Sequence, residues 1–526
     1  MLEKYARHKK KQSETRTVSG IEAISSVTEY IGNMPLLIPI IERLEIRDIV
    51  DGVCPKERDS DEHLTHGEVL EMTVYNRLTS PRPLYRVEDW GRQYATETLF
   101  GIKPEKLNDD RIARMLETIG VHQEEIQSAL SMRMMESFGI SAKSIHYDIT
   151  SLSFEGEYLE SDVVRFGYSR DRRPDLKQVN VSLDVTTEGS VPVWSRTLPG
   201  NTTDVTTVME NMKSLKKNLQ LKDYLVIMDR GMVSGDNLDM LLGQGIGFVA
   251  AVPLSENMVD KIRSTPDDAF EPIAYTDRLE KDHLRAARCP LEFHTKEGKP
   301  VPAHGWIFAS SQKKKRDGRS LEKGIREITE ILEDVGKKLN TRKYAKRDYV
   351  IAQLQKRIGK KHARGLFWWD LSGDDGELEL DYCLEEEACR KAEELEGKYL
   401  LATSKPEWTG DEVISAYKSQ HVVEWRFRHL KSRLKVSPLF LEKDERIVGL
   451  VFMTIVSLMV YSLLEFLCDT ARVPLTAFML METFGPCGFS RIRFANNECL
   501  VLANDLTAFQ EWVLGSLGFP HPREYL

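Results

Sequence analysis

Two aspartates lie where a β-strand would present a carboxylate to a metal ion. Asp148 is in the middle of the segment SIHYDIT, whose alternation places it on the same strand face as His146 and Thr150. Asp229 ends the apolar segment YLVIMD, which is typical of a strand buried on both faces. A carboxylate there is costly to desolvate unless it is paired or bound to metal, and open α/β sheets bind ligands at the carboxyl ends of their strands. For each aspartate alone, a salt bridge or a helix cap is the alternative interpretation.

A third acidic residue lies in a predicted helix over residues 411–434. Tyr417, Glu424 and Lys431 recur every seven residues, so a continuous helix would place all three on one face. Such a face suits contact with metal and phosphate. The helix and the residue that follows it carry a ridge of five cations, which are Arg426, Arg428, Lys431, Arg433 and Lys435. The alternative is a surface helix with i,i+4 ion pairs, and without the two aspartates that alternative would be preferred.

The segments around the aspartates predict an α/β sheet. Five strands are expected at SIHYDITSLSF, KQVNVSLDVTT, VPVWSRTL, YLVIMDR and GFVAAV. Glu188-Gly189-Ser190 between the second and third is a hairpin signal. A helix over residues 205–219 separates the third strand from the fourth. Three sequential strands followed by helix, strand, helix and strand match a ribonuclease-H-like α/β arrangement.

The remaining segments differ in character. The first 140 residues have helical patterns, including a capping box at Thr65 and Glu68 and a helix that is expected to stop at Gly120. They fit a helical DNA-reading domain or a plain helical bundle equally well. Five segments are expected: a helical N-terminal domain at 1–140, an α/β core at 141–254 and 395–470, an insertion at 255–394, and a helical tail at 471–526.

Charge is distributed unevenly along the chain. The 526 residues carry a net charge of −9, which excludes a uniformly basic nucleic-acid coat. Residues 313–364 hold 18 Lys and Arg against seven acidic residues, a net charge of +11, so the rest of the chain carries −20. This asymmetry indicates a local basic surface in the insertion. A solvated helical hairpin is the alternative.

Composition also limits the compartment. Seven scattered cysteines without a Cys-x-x-Cys pair argue for a reducing compartment and against a disulfide framework or a structural zinc. The basic start has no apolar segment, so no signal peptide is expected. Residues 447–464 contain no charge and just reach membrane-spanning length, but a helix buried inside a large core is the preferred interpretation.

Several motifs together resemble one family. Tyr417, position 420, Glu424 and Lys431 have the spacing of the Tyr-Arg-Glu-Lys signature of insertion-sequence DDE transposases of the IS-four-type superfamily, although Gln420 stands where the signature has Arg. The segments FGYSRDRRPDLKQVNVSLDVTTEG, LPGNTTDV and VIMDRGMVSGDNL resemble motifs of the same catalytic domain, and the N-terminal region through LNDDRIARMLE resembles the helical domain that precedes it. The resemblance covers residues 30–470.

The resemblance implies a fold, a reaction and a set of site residues. It implies a ribonuclease-H-like catalytic core with an inserted α+β subdomain behind a helical N-terminal domain. Asp148, Asp229 and Glu424 would bind two Mg²⁺ ions, which Mn²⁺ can replace, and three carboxylates are ligands that this hard cation prefers. Asp184 and Asp204 are competing carboxylates in the same domain. The residues expected to contact DNA are Tyr417, Gln420, Arg426, Arg428 and Lys431.

The implied activity is cut-and-paste transposition by a prokaryotic, cytoplasmic and nucleoid-associated protein. The partners would be double-stranded DNA, both transposon ends and target, with a homodimer in the synaptic complex and no membrane. Two rival functions are a two-metal DNA nuclease and an inactive transposase-derived regulator that binds DNA through residues 1–140.

Overall fold

The computed structural model describes residues 23–54, 64–275, 282–434, 441–494 and 499–526. The chain forms two compact units. The helical unit comprises the chain up to Gly139, Phe154–Asp162 and His429–Leu526, and the sheet unit comprises Ile140–Ser153 and Val163–Arg428. The basic first residues of the chain and Lys435 lie outside the described residues.

This division into units differs from the predicted domains. The predicted N-terminal domain (1–140) and helical tail (471–526) belong to one unit, because both pack in the helical unit. The predicted second part of the core, 395–470, is divided after Arg428. The insertion, 255–394, does not leave the sheet unit, since its strands extend the main sheet.

The helical unit consists mainly of helices packed around one apolar helix. Its helices are α1 Met34–Leu44, α2 Ile46–Val53, α3 His66–Thr79, α4 Val87–Gln93, α5 Thr96–Phe100, α6 Asp109–Val121, α7 Gln123–Phe138, α16 Asp444–Thr470, α17 Ala477–Phe484 and α18 Ala508–Leu517. The predicted capping box is confirmed, since the Glu68 amide donates to Thr65 Oγ1 at 3.1 Å and the Thr65 amide donates to Glu68 Oε2 at 2.9 Å. These two bonds satisfy amides that the start of α3 would otherwise leave unpaired.

The unit also contains a small sheet that the sequence did not predict. Its strands, β1 Ala23–Tyr30, β13 Gly488–Phe494 and β14 Cys499–Ala503, pair in the order β1-β13-β14. Tyr30 pairs with Gly488 in an antiparallel register, so the two ends of the chain share one sheet.

The long helix α16 is the apolar centre of this unit. It is the one helix among the described residues that is long and apolar enough to cross a membrane. Within its most apolar 18-residue stretch, 94% is buried inside the protein. It packs against α1, α3 and α6. The prediction that residues 447–464 form a buried core helix is confirmed.

A close crossing of α6 and α16 depends on two glycines. A Cβ at Gly449 would lie 2.0 Å from the Leu116 carbonyl oxygen, and one at Gly120 would lie 2.1 Å from the Glu445 carbonyl oxygen. Because α6 continues to Val121, the prediction that Gly120 ends the helix is wrong. Gly120 allows the two backbones to touch.

The sheet unit is built on a nine-stranded mixed sheet of order β4-β3-β2-β5-β6-β12-β9-β8-β7. Its strands are β2 Ser144–Phe154, β3 Lys177–Thr186, β4 Pro192–Pro199, β5 Leu225–Met228, β6 Gly247–Ala251, β7 Glu271–Pro272, β8 Leu284–His294, β9 Pro300–Ser310 and β12 Lys398–Thr403. The helices α8 Asp204–Leu219, α9 Gly235–Gly243 and α10 Glu256–Ser264 connect them. The prediction of a mixed α/β fold with three strands followed by helix, strand, helix and strand is confirmed. The β3–β4 hairpin turns at Gly189 and Ser190, whose φ angles of 69° and 53° suit a two-residue turn.

The later part of the insertion has its own core. It contains α11 Ser311–Lys338, α12 Arg347–Ile358, β10 Phe367–Ser372, β11 Glu379–Leu384 and α13 Glu386–Glu393. The two long helices bury Ile328, Leu332, Val335, Val350 and Leu354 in this core. Several of the predicted basic residues form ion pairs, namely Lys313–Asp317, Lys323–Glu327, Lys338–Asp334, Arg357–Asp334 and Lys361–Glu327. These pairs use part, but not all, of the excess positive charge.

Short 3₁₀ helices occur at Leu84–Arg86, Pro104–Lys106, Arg230–Met232, Asp267–Ala269, Arg342–Ala345, His362–Leu366 and Pro522–Tyr525. All seven cysteines are free in this structure.

Candidate active site

Asp148 and Asp229 lie side by side on neighbouring parallel strands. Tyr147 of β2 pairs with Met228, the last residue of β5, so the next residue of each chain segment is an aspartate. Asp148 Oδ1 accepts a hydrogen bond from the Ile149 amide at 2.7 Å. Asp229 Oδ1 likewise accepts from the Arg230 amide at 2.7 Å. Two carboxylates therefore meet at the carboxyl end of β5, where α/β sheets bind ligands.

The charge of Asp148 is poorly compensated. Burial raises the pKa of its carboxyl to about 7, and the negative charges of Asp229 and Asp204 act in the same direction. The Ile149 amide and the Arg170 guanidinium act in the opposite direction. A carboxyl with this pKa gains from a nearby cation, which favours its ionised form. Perturbed carboxyls of this kind concentrate at functional sites.

An ion pair that the sequence did not reveal lies beside this carboxylate. Arg170 Nη2 pairs with Asp204 Oδ1. Arg170 Nη1 also donates to Ser151 Oγ at 3.2 Å and to Asn180 Oδ1 at 3.3 Å. Asp204 begins α8, and a Cβ at Gly231 would lie 3.4 Å from its Oδ2, so it adjoins the loop after Asp229. The sequence offered only the cluster of charged residues in YSRDRRPD as a sign of this ion pair. That cluster does not show that Arg170 pairs with Asp204.

Asp184 lies on the other side of the sheet from Asp148. Its charge acts on Tyr147, and successive side chains of β2 point to opposite faces. The Asp184 side chain is fully buried, and its Oδ2 accepts a hydrogen bond from Asn211 Nδ2 at 2.8 Å. Burial raises its pKa to about 8. The geometry therefore favours Asp148 over Asp184 as a metal ligand.

The predicted single helix over residues 411–434 is wrong. Two helices, α14 Gly410–Lys418 and α15 His421–Arg428, are followed by a π-helical turn at His429–Arg433. At the junction the Gln420 amide donates to the Tyr417 carbonyl at 3.0 Å, and the Val423 amide donates to the Gln420 carbonyl at 3.1 Å. These bonds span three residues instead of four, so the helix tightens and breaks. The seven-residue spacing consequently does not define one straight face.

A buried histidine attaches this junction to the sheet. His146 Nε2 lies 3.1 Å from Ser419 Oγ and 3.0 Å from Thr187 Oγ1. Burial lowers the pKa of His146 to about 4, and the charge of His421 lowers it further, so the ring is neutral at pH 7. Because His146 and Asp148 share a strand face, this contact places the start of α15 on the side of the sheet that carries the aspartates.

Tyr417 connects the helices to the carboxylate pair. Its hydroxyl donates to Asp229 Oδ1 at 3.4 Å. Burial raises the pKa of Tyr417, and the charges of Asp229 and Glu424 raise it further. Glu424 is exposed on α15. Among the residues that the structure describes, no group of three or more His, Cys, Asp or Glu side chains is close enough to hold one metal ion.

The donor set fits a hard divalent cation only in part. Asp148 and Asp229 supply two adjacent carboxylates, and the raised pKa of Asp148 marks a charge that needs a cation. Carboxylate oxygen is the ligand that such ions prefer. Glu424 lies in the same region, as its effect on Tyr417 shows, but it does not complete a three-carboxylate group.

The residues expected to contact DNA are placed in different settings. Gln420 is buried, and its Oε1 has no hydrogen-bond partner among the described residues. Arg426 is 2% exposed, and its Nε donates to the Ser190 carbonyl at 2.6 Å, so it holds the β3–β4 turn. Arg428 is exposed and lies over the Trp425 ring at 5.1 Å. Lys431 is half-buried in the π-helical turn and belongs to the helical unit.

One family model matches more than half of this chain. A model described as "Transposase DDE domain" matches residues 147–460, and a "Domain of unknown function (DUF4277)" matches residues 26–131. A piggyBac transposase synaptic complex with hairpin DNA is 10% identical, with a TM-score of 0.37 over 86% of this chain and 78% of that chain. A Mos1 transposase paired-end complex is 10% identical, with a TM-score of 0.16 over 39% of this chain and 64% of that chain. No curated protein matches the sequence.

Proposed function

Because the chain belongs to the family defined by the transposase DDE domain, we propose that it cuts DNA at transposon ends and joins those ends to target DNA. The observation that carries this proposal is the pair of carboxylates, Asp148 and Asp229, on neighbouring parallel strands. Both lie inside the matched domain. A partly buried carboxyl with a raised pKa beside a second carboxylate suits a site that receives a cation.

We propose that Asp148 and Asp229 hold divalent metal ions, Mg²⁺ or Mn²⁺, and that Glu424 provides the third carboxylate. Bound there, the metal would stabilise the charge that develops on the attacking and leaving oxygens of a phosphodiester. Tyr417 orients Asp229 through its hydroxyl. Neutral His146 keeps the α14–α15 junction beside the strand without adding charge.

The cations near this site suit contact with DNA phosphates. Arg170 is held by Asp204 and influences the Asp148 carboxyl, so it can attract a phosphate that approaches this carboxylate. Arg428 is exposed on α15, and we assign it a contact with the DNA backbone. Arg426 is assigned to the hairpin turn instead, because its guanidinium is already bonded to carbonyl oxygens. We retain Gln420 and Lys431 as candidate contacts on the strength of the signature spacing alone.

The finer assignments follow from the sequence motifs. The signature spacing supports the IS-four-type superfamily through Tyr417, Glu424 and Lys431, although Gln420 stands where the signature has Arg. Membership of this superfamily would make the protein the product of a prokaryotic insertion sequence, cytoplasmic and nucleoid-associated. Cut-and-paste transposition requires two ends to be processed together, so we propose a homodimer on double-stranded DNA. The ribonuclease-H-like class is supported by the strand order β4-β3-β2-β5-β6.

The test is a strand-transfer assay with the full chain, Mg²⁺, duplexes that carry the inverted repeats flanking the gene, and a target plasmid. Joined product supports the proposal. Nicks without joining would replace it with the nuclease, and a mobility shift without cutting would replace it with the regulator. Asp148→Asn and Glu424→Gln should lower cleavage by several orders of magnitude while leaving DNA binding intact.

A matched control separates the loss of a ligand from the loss of one charge. Asp223 is exposed in the same unit and has a φ of 51°, a conformation that asparagine tolerates. Asp223→Asn should therefore cut DNA normally. Normal cleavage by Asp148→Asn would remove Asp148 from the site, and normal cleavage by Glu424→Gln would remove the third carboxylate.

A further inference from the structure

The helical unit contains a buried arginine whose charge has no partner among the described residues. Arg77 lies in α3 and is 6% exposed. Its Nε is enclosed without a hydrogen-bond partner, and no ion pair reaches its guanidinium within the described part of the chain. Buried charges are normally paired. Burial accordingly lowers the pKa of Arg77 to about 10, and no acidic group opposes this effect.

The other buried arginine shows the usual arrangement. Arg426 is 2% exposed, and its guanidinium donates to the carbonyl oxygens of Ser190 and Gly189 at 2.6 Å and 3.4 Å. Its donors are satisfied inside the protein. Arg77 is also buried, but its guanidinium has no hydrogen-bond partner among the described residues.

Arg77 forms part of the wall of a cavity of about 370 Å³. The cavity is open to the surface, because three of its lining residues, Ser432, Glu482 and Gly485, are exposed. Its volume is at the small end of the range of ligand pockets, roughly 300–1,000 Å³. It therefore has room for one nucleotide-sized group but not for a double helix.

Two side-chain donors of the wall, on Thr79 and Asn33, are satisfied inside the protein, whereas the acceptor Asn33 Oδ1 has no partner among the described residues. Thr79 Oγ1 donates to the Tyr75 carbonyl at 2.7 Å and accepts from Trp90 Nε1 at 2.9 Å. Asn33 Nδ2 donates to the Leu78 carbonyl at 2.9 Å. Arg77 has donors without a partner among the described residues, and its planar guanidinium matches the oxygens of a phosphate. The rest of the wall is largely aromatic and apolar, with Tyr94, Tyr461, Phe478 and Leu434.

We propose that this cavity binds the terminal nucleotide of a DNA strand through its 5′-phosphate. Arg77 takes two phosphate oxygens, and the aromatic wall contacts the attached nucleoside. A strand end fits because an internal phosphate of a duplex cannot enter a cavity of nucleotide size. The assignment of the phosphate to DNA rests on the proposed function. The expectation that the cavity binds a phosphate group rests on Arg77 alone.

Two duplexes of identical sequence test the proposal, one with a 5′-phosphate and one with a 5′-hydroxyl. Their dissociation constants for the full chain are measured by fluorescence anisotropy in EDTA at one ionic strength. We expect the phosphorylated duplex to bind about tenfold more tightly, as a charge-assisted bidentate contact allows. Arg77→Gln should remove the preference, and Arg77→Lys should retain part of it. Arg114→Gln, which alters an exposed arginine of the same unit, should leave it unchanged.

Thermal unfolding separates a binding role from a structural one. Removing a charge that has no partner should leave the melting temperature of Arg77→Gln equal to or above that of the wild type. A clear fall would show that Arg77 has a structural partner and would overturn the proposal. Glu482 at the mouth should repel the phosphate, so Glu482→Gln should tighten binding of the phosphorylated duplex only.

The remaining outcomes also decide. Equal affinity of the two duplexes for the wild type would overturn the strand-end assignment. If inorganic phosphate then raises the melting temperature of the wild type but not of Arg77→Gln, the cavity belongs to free phosphate. The binding assay contains no metal, so a preference for the 5′-phosphate would support the cavity proposal even if the protein cuts no DNA. If the protein cuts DNA but shows no such preference, only the cavity proposal is overturned.

Discussion

Asp184→Asn distinguishes the two carboxylates of the sheet that compete for the metal site. Asp184 is fully buried, and its Oδ2 accepts from Asn211 Nδ2 at 2.8 Å. Its Oδ1 has no partner among the described residues. An asparagine can keep the bond to Asn211 while resembling the protonated acid in shape and charge. The substitution therefore removes only the ability to ionise.

The magnitude follows from the pKa of Asp184. Burial raises it to about 8, whereas an unfolded chain has a value of about 3.9. Between these values the folded state holds a proton that the unfolded state has lost. The contribution of Asp184 to the free energy of unfolding is therefore greatest below about pH 4. It falls by about 1.4 kcal/mol for each pH unit up to about pH 8. From pH 5 to pH 8 the wild type should lose about 4 kcal/mol through this group.

The variant lacks this group, so its advantage over the wild type should grow by about 4 kcal/mol between pH 5 and pH 8. A chain with two units need not unfold in one step. Hydrogen exchange of the β3 and β4 amides is therefore the appropriate assay, because it reports the local stability of the strands that carry Asp184 and its cross-strand partner Trp194.

Two results would refute this reasoning. Parallel pH dependences of the two proteins would mean that Asp184 does not remain protonated in the folded state. Loss of cleavage by Asp184→Asn, with cleavage retained by Asp148→Asn, would exchange the roles of the two carboxylates. We expect the reverse, because the charge of Asp184 acts on Tyr147, on the opposite face of β2 from Asp148.

Three further predictions concern packing and charge. Gly449→Ala should destabilise the helical unit by about 1–3 kcal/mol, because the added Cβ would clash with backbone atoms. Gly336 has open space around it, so Gly336→Ala should stabilise its helix by about 0.5–1 kcal/mol. Thermal unfolding measures both effects. Arg426→Ala should lower the melting temperature without altering the salt dependence of DNA binding, and Arg428→Ala should do the opposite, reducing the log–log slope by roughly 0.9. Neutralising six cations of residues 313–364 should reduce that slope by up to about five, and an unchanged slope would identify the segment as a solvated hairpin.

The sequence predicted the features that depend on neighbouring residues. The alternation in SIHYDIT and the apolar run before Asp229 predict the two strands, whereas the sequence joined the two aspartates in one site only through the family resemblance. The capping box at Thr65 is equally local. The burial of α16 was expected because a long apolar helix with acidic residues close behind it suits a protein core.

The features that were missed depend on distant parts of the chain. β1 pairs with β13 across more than 450 residues, and no local pattern specifies that partner. The break after Lys418 accompanies a contact between Ser419 and His146, which lies on a strand far earlier in the sequence. Helical spacing alone continues through this point. For the same reason the sequence could not show that Arg170 pairs with Asp204.

The break between α14 and α15 also explains how the signature residues can act without sharing one helix face. Tyr417 precedes the break and bonds to Asp229, whereas Glu424 follows it on a separate helix. His146 fixes the junction through a neutral ring, so the two helices are oriented without placing another charge beside Asp148. The negative charge of Asp229 therefore continues to raise the pKa of Asp148, and a cation bound beside the pair would offset this effect. In the proposed site, the strand that carries His146 and Asp148 would therefore set the position of the α14–α15 junction.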